Sequence, residues 1–242
     1  MKITAVMGSP TKNGNTCVLA REVLRGAKDT GAETEEIFLA EHHIAYCIGC
    51  IGRTSKHCMS TGKCNINDDA EALKQKLYQS DGIVLATPSY GIMPTAVMKN
   101  FIIDRIGMFT AYTSGFGGKY LVGVSTCGGI GAKTVAKDIV KRFIAGFHRR
   151  SYVTGYLGVA IGYERIENKP KAMAAAYRLG VKLAQDISRK KKYHLQGFKD
   201  RLMITLIVKK IILKNIYTNK DGDMKAVYQN LVERGMIKPS AM

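Results

Sequence analysis

Five short runs rich in apolar and β-branched residues alternate with helical patterns, and no other feature restricts the fold as strongly. The runs cover 2–6, 33–38, 83–86, 119–125 and 152–160. Helical patterns follow them over 17–26, 95–106, 132–147 and 170–190, and a further helix, capped by Asp68 and Asp69, runs through Tyr78. Its inner face is read as Ala72, Leu73 and Leu77, and that of the first helix as Val18, Leu19, Val23 and Leu24. Strands that alternate with helices pair in parallel and are covered on both faces. Right-handed crossovers then give a doubly wound α/β sheet. The run 33–38 is the most polar and suits an edge, whereas 83–86 is apolar throughout and suits the centre.

The chain has 242 residues, 46% of them hydrophobic, enough for one α/β domain with an extension. The first strand follows Met1 without a leader, and no apolar run approaches the roughly 20 residues that span a bilayer. A soluble, cytoplasmic protein is the expectation. The net charge of +18 is uneven: 1–140 holds 15 Lys and Arg against 12 Asp and Glu, whereas 141–242 holds 22 against 7. Such a field favours anionic partners, but no nucleic-acid-binding signature accompanies it, and no specific nucleic acid is expected.

In a sheet of this kind ligands sit at the carboxyl ends of the strands. Three loops there carry suitable chemistry. The first, Gly8-Ser9-Pro10-Thr11-Lys12-Asn13-Gly14-Asn15-Thr16, runs from a strand into a helix N-terminus. It gathers backbone amides, hydroxyls and the positive end of a helix dipole, which suit a phosphate. It carries neither the P-loop ending nor the dinucleotide glycine pattern. The second loop offers Tyr90, a flat surface for a planar ring. The third, 126–131, offers amides beside Gly128, Gly129 and Gly131. Together they describe a pocket for a phosphorylated planar heterocycle.

The first loop, then Pro88-Ser89-Tyr90, then Lys99-Asn100-Phe101-Ile102-Ile103-Asp104-Arg105 closely resemble the flavodoxin-like NAD(P)H-dependent FMN reductases over about residues 1–190. The resemblance implies a five-stranded parallel sheet of order 2-1-3-4-5, bound FMN, and a homodimer or dimer of dimers. Carried over by position, Ser9, Thr11, Lys12, Gly14, Asn15 and Thr16 hold the FMN phosphate. Pro88, Ser89, Tyr90, Gly91 and Ile92 lie along the isoalloxazine, and Thr126, Cys127, Gly128 and Gly129 meet its pyrimidine edge. Where the family often has Arg, this chain has Thr11, and Lys12 is the substitute charge. The implied activity is an FMN-dependent oxidoreductase taking electrons from NAD(P)H or a reduced carrier. The alternative is an electron-carrying flavoprotein without its own small-molecule substrate, exchanging electrons with a ferredoxin-like partner. No catalytic acid or base is assigned.

Four of the six cysteines form Cys47-x2-Cys50-x7-Cys58-x5-Cys64, while Cys17 and Cys127 stand apart. Four thiolates at such spacing suit a [4Fe–4S] cluster or one Zn²⁺; free or redox-sensing thiols are the third reading. The segment resembles the iron–sulfur flavoprotein branch of the family, whose pattern is Cys-x2-Cys-x2-Cys-x5-Cys. Here Arg53 occupies the third cysteine's place and five residues precede Cys58. His43 and His57 are candidate substitute ligands.

The domain reading is a flavin-binding unit over 1–194, with a cysteine-rich insert at about 45–66, and a basic, apolar helical extension over 195–242. Residues 201–214 are apolar with basic punctuation and too short to span a membrane. A helix packed across a subunit boundary is favoured over one resting on anionic lipid. Residues 223–234 read as an amphipathic helix with Met224, Val227, Tyr228 and Leu231 on one side.

Overall fold

A computed structural model describes residues 1–141 and 148–239. Five parallel strands form one sheet: β1 (Lys2–Met7), β2 (Glu33–Phe38), β3 (Gly82–Ala86), β6 (Tyr120–Cys127) and β7 (Tyr152–Ala160), in the order β2-β1-β3-β6-β7. Counted along the sheet strands alone, this is the expected 2-1-3-4-5, with the polar strand β2 at the edge. A separate two-stranded hairpin, β4 (Ser89–Tyr90) with β5 (Met93–Pro94), follows β3.

Alternation along the central strands divides the interior into two cores, because successive side chains point to opposite faces. On one face Ile3, Ala5, Val84 and Val122 pack beneath α1 (Asn15–Lys28) and α7 (Pro170–Ser188). On the other, Val6, Ile83, Leu85 and Leu121 pack beneath α3 (Ala70–Gln79), α6 (Ala132–Lys141) and the helical stretch after the hairpin. The run 132–147 was read as one helix; its last six residues lie outside the described ones.

Local departures from the sequence reading have identifiable causes. Helix α3 buries Ala70, Leu73, Lys74 and Leu77, and Ala72 faces solvent. Lys74 takes the inner position because its ammonium pairs with Glu71 at 2.8 Å and donates to the Gly62 carbonyl at 3.3 Å. The expected helix over 95–106 is α-helical only in α4 (Ala96–Lys99), then widens into a π-helix at Asn100–Arg105. A further helix, α5 (Gly107–Thr113), follows the π-helical stretch. The cysteine-rich insert contains a short helix, α2 (Cys58–Thr61).

The extension is helical through α8 (Phe198–Met203), a π-helical turn at Ile204–Val208, α9 (Lys209–Thr218) and α10 (Lys225–Glu233). Ile212, Ile216, Val227 and Leu231 form a third core with Met59 of α2 and Phe109 of α5. The inner face of the tail is thus buried within its own chain. Among the described residues no helix is long and apolar enough to cross a membrane.

Candidate functional site

The first loop is built to leave donors open. The first helical bond of α1 runs from the Val18 amide to the Gly14 carbonyl at 3.1 Å, so the amides of Asn15, Thr16 and Cys17 precede it. Among the described residues these three have no backbone acceptor. Ser9 is buried and donates to the Thr11 carbonyl at 3.0 Å, closing the loop on itself. A Cβ at Gly14 would lie 2.6 Å from the Thr11 hydroxyl, so a larger residue here would displace that hydroxyl.

The three strand-end loops are tied together. Thr16 and Thr126 share a hydroxyl–hydroxyl hydrogen bond of 2.6 Å, joining the first loop to the end of β6. Thr95, buried at the base of the hairpin, donates to the Gly8 carbonyl at 2.7 Å. The hairpin turns on Gly91 (φ 59°) and Ile92 (φ 60°). A β-branched residue is strained there. Its side chain packs against Gly131, where a Cβ would lie 2.9 Å from it. Tyr90, at the hairpin tip, is 60% exposed, and Pro88 and Ser89 are buried beneath it. Gly128 and Gly129 are exposed, and a Cβ at Gly129 would meet nothing within 4 Å. Cys127 is buried at the end of β6.

Two residues given to the phosphate have other engagements. The Lys12 ammonium is ion-paired with Glu41 and lies 5.7 Å from the Phe38 ring centroid. The Asn15 side chain accepts from the Ile166 amide at 2.8 Å and donates to the Glu164 carbonyl at 3.2 Å. Asn15 thereby fixes a fourth wall, the loop after β7, which sequence reading missed. The same loop bonds to the third one, the Gly162 amide donating to the Gly128 carbonyl at 2.9 Å. Its position at a carboxyl strand end was the available signal.

The cysteine segment lies between β2 and α3 and is anchored at both ends by one buried ion pair. Arg105 donates to both oxygens of Asp68, with side chains 1% and 0% exposed. It also donates to the Ala45 carbonyl, and its Nη2 lies 3.5 Å from Cys64 Sγ. Asn100 donates to the carbonyls of Ile44 and Ala45 at 3.2 Å. The π-helix explains this convergence: i→i+5 bonding brings residues five apart toward one side, and Asn100 and Arg105 are both buried. Burial alone would raise the Asp68 carboxyl; Arg105 and the amides of Ala45 and Ala70 outweigh it and hold the group below the usual carboxylate range.

Cys47 is exposed, and Cys50, Cys58 and Cys64 are half-buried free thiols. Burial, then the charges of Cys50, Cys64 and Cys47, pushes the Cys58 thiol up to about 11, against the pull of Lys74. Among the described residues no three His, Cys, Asp or Glu side chains converge on a metal-ion position. A small cavity beside them is lined by Cys58, Cys64, Lys74, Arg105 and Phe109. Arg105 Nε is buried there without an acceptor. His57 is buried at the head of α2, and the exposed His43 lends its amide to Asp69.

A family profile described as NADPH-dependent FMN reductase matches residues 1–164. An iron–sulfur flavoprotein of Methanocaldococcus jannaschii is 31% identical over 201 residues, covering 79% of this chain and all of the relative. An iron–sulfur flavoprotein of Archaeoglobus fulgidus is 29% identical over 239 residues, covering 98% of this chain and all of the relative. A solved flavone reductase superposes with a TM-score of 0.62 at 17% identity over the full length of both chains, a likeness of fold. The fold, the strand-end loops and these relatives agree: the chain belongs to the NADPH-dependent FMN reductase family, on its iron–sulfur flavoprotein branch, and is an oxidoreductase of flavodoxin-like fold.

Proposed function

We propose that the chain is an FMN-dependent oxidoreductase taking reducing equivalents from NAD(P)H and passing them on through a cysteine-held [4Fe–4S] cluster. The observation that carries the flavin reading is the convergence of open donors and open space at one sheet edge. The amides of Asn15, Thr16 and Cys17 meet a phosphate's chemistry, and the Gly128–Gly129 backbone leaves room for a ring edge. Ser89 Oγ, buried without a partner beneath the hairpin, is a further donor awaiting an acceptor.

Bound FMN supplies the hydride chemistry, and the protein supplies position and electrostatics. The amides at the α1 N-terminus bind the phosphate, with the Thr11 hydroxyl beside them. The Thr16–Thr126 bond keeps the phosphate loop in register with the loop facing the ring. Tyr90 and Ile92 cover the ring and keep water from it, and the Gly128 and Gly129 amides stabilise negative charge gathered at its edge. Because Lys12 is held by Glu41, the phosphate's charge is met chiefly by amides and the helix dipole.

For the cluster, the donor chemistry is the support. Cys47, Cys50, Cys58 and Cys64 would hold it, their mutual repulsion relieved by iron. Arg105 and Lys74 beside Cys58 and Cys64 offset the anionic charge of such a group, and Arg105 Nε supplies a donor without a protein acceptor. A cluster converts paired-electron chemistry into single-electron transfer.

Anaerobic stopped-flow mixing of the FMN-loaded, iron-reconstituted protein with NADPH and NADH tests the reading. The flavin absorbance is expected to bleach with at least one of the two. Bleaching only with a reduced protein carrier would reassign the chain to carrier duty. Thr11→Val is expected to weaken FMN binding by about tenfold, the worth of one charge-assisted hydrogen bond, as read by fluorescence titration. Unaltered affinity would remove Thr11 from the phosphate site.

A further inference from the structure

The two features that set this chain apart from a minimal flavodoxin-like domain, the longer spacing before Cys58 and the basic C-terminal extension, pack against each other. Cys58 opens α2, a single turn, and a helix that short does not hold itself. Its N-cap residue His57 is 1% exposed, and its amide donates to Ser60 Oγ at 3.2 Å. The His57 Nε2 lies 3.3 Å from Asp223 Oδ1, at the entrance to α10. Met59, the next residue after Cys58, is buried against Ile212 and Ile216 of α9 and Val227 and Leu231 of α10. The turn ends at Gly62, where a Cβ would lie 3.4 Å from Ala226 Cβ, again on α10. Before, within and after its single turn, the Cys58 helix meets the tail.

The ion-pair network makes its hydrogen bonds to the two ends of the cysteine segment and none to α2 among the described residues. Arg105, Asp68 and Asn100 grip Ala45 and Cys64, at the segment's two ends. From the domain side α2 is held by the bond from Lys74 to the Gly62 carbonyl and by Phe109 of α5, which shares the core with Met59.

We propose that residues 209–237 are a clamp that seats Cys58 among the other three thiols, with Asp223 and Val227 as positioning residues. This rests on the reading of the four cysteines as one ligand set. Through the clamp, the tail determines whether the third thiol is in place when iron and sulfide arrive. Asp223 holds the buried imidazole of His57, the residue at the head of the helix, and Val227 fills the apolar seat under Met59.

Full-length variants test it. In reduced, iron-free protein, Val227→Asp is expected to speed N-ethylmaleimide labelling of Cys58 about tenfold, a local opening, with Cys47 labelling and FMN affinity unaltered. Asp223→Ala is expected to speed it about threefold, and Asp223→Asn, which retains the acceptor oxygen, to restore the parent rate. Mass spectrometry of the labelled peptides reads each site. After anaerobic reconstitution, iron and sulfide content is expected to fall by half or more in Val227→Asp, with the visible charge-transfer absorbance falling in step. Parent-like Cys58 labelling in both Val227→Asp and Asp223→Ala would overturn the clamp. So would labelling that rises equally at all four cysteines together with loss of FMN, which marks general unfolding. If the parent protein takes up no iron while Cys58 labelling still responds, the clamp stands and the ligand reading falls.

Discussion

Replacing Arg105 by Met is expected to cost about 3–5 kcal/mol of stability, the usual consequence of removing one partner from a buried ion pair. The side chain of Asp68 has no exposed surface, so it is left with an uncompensated charge that no water reaches. The Ala45 carbonyl loses a donor at the same time, and Cys64 loses its cationic neighbour. Both ends of the cysteine segment are then released, so loss of iron uptake is expected to accompany loss of stability. Urea unfolding with iron analysis measures both. The double variant Arg105→Met with Asp68→Leu is expected to recover part of the loss, because it removes the stranded charge as well. A single Arg105→Met within about 1 kcal/mol of the parent would show that the pair holds nothing in place.

The pH dependence follows from the same pair. The Asp68 carboxyl titrates below its unfolded value, so its contribution is complete above the ordinary carboxylate pKa of about 4 and is lost as the pH falls below it. The parent is therefore expected to lose this stabilisation between about pH 4 and the lower folded value. The double variant, lacking both groups, is expected to show a shallower acid transition. Lys119 acts at the other end of the scale. Burial lowers its ammonium to about 8, with the cations Arg234 and Arg149 adding to the effect against Asp81. Its folded value lies below its unfolded one, so the burial penalty is relieved, and stability rises, as the pH climbs from about 8 toward the free-lysine value.

What was legible in the sequence were the features encoded by local pattern. The alternation of Ile83 with Val84 and of Leu85 with Ala86 serves two cores at once, so an unbroken apolar run identified a central strand. The polar strand at Glu33–Phe38 identified an edge for the converse reason. The three strand-end loops followed from topology, since parallel order puts every strand's carboxyl end on one side. What escaped depends on contacts distant in sequence. Lys74 reads as a surface lysine until Gly62 and Glu71 are brought to it. Asn100 and Arg105 fall on different sides of an α-helix and share one only because the helix widens there. The tail's apolar face is legible in the sequence, but that part of it covers Met59, about 150 residues earlier in the same chain, is not.

Gly180→Val is expected to be the most damaging change in the flavodoxin-like core, lowering stability by about 3 kcal/mol or more. Helices α1 and α7 cross with their backbones nearly touching. A Cβ at Gly180 would lie 1.8 Å from the Val23 carbonyl oxygen and 2.9 Å from the Ala27 nitrogen. A Cβ at Gly26 on the facing helix would lie 2.1 Å from the Tyr177 carbonyl oxygen. The obstructing atoms are backbone, so no side-chain rotation makes room and one helix must move. Helix α1 is the one on which the proposed phosphate site depends, because its first turn presents the amides of Asn15, Thr16 and Cys17. Displacing it strains the Thr16–Thr126 bond and the grip of Asn15 on Ile166. FMN affinity is therefore expected to fall together with the melting temperature, although Gly180 lies far from the loop in sequence. Gly129→Ala supplies the contrast. Its Cβ meets nothing within 4 Å, so stability is expected to stay within about 0.5 kcal/mol of the parent, while the methyl enters the open space that the proposed function gives to the ring edge. Loss of FMN binding without loss of stability in Gly129→Ala, beside loss of both in Gly180→Val, would separate the pocket's surface from the scaffold that aims it. Parent-like stability in Gly180→Val would mean that α7 yields without moving α1, and that the phosphate loop owes its position to the sheet alone.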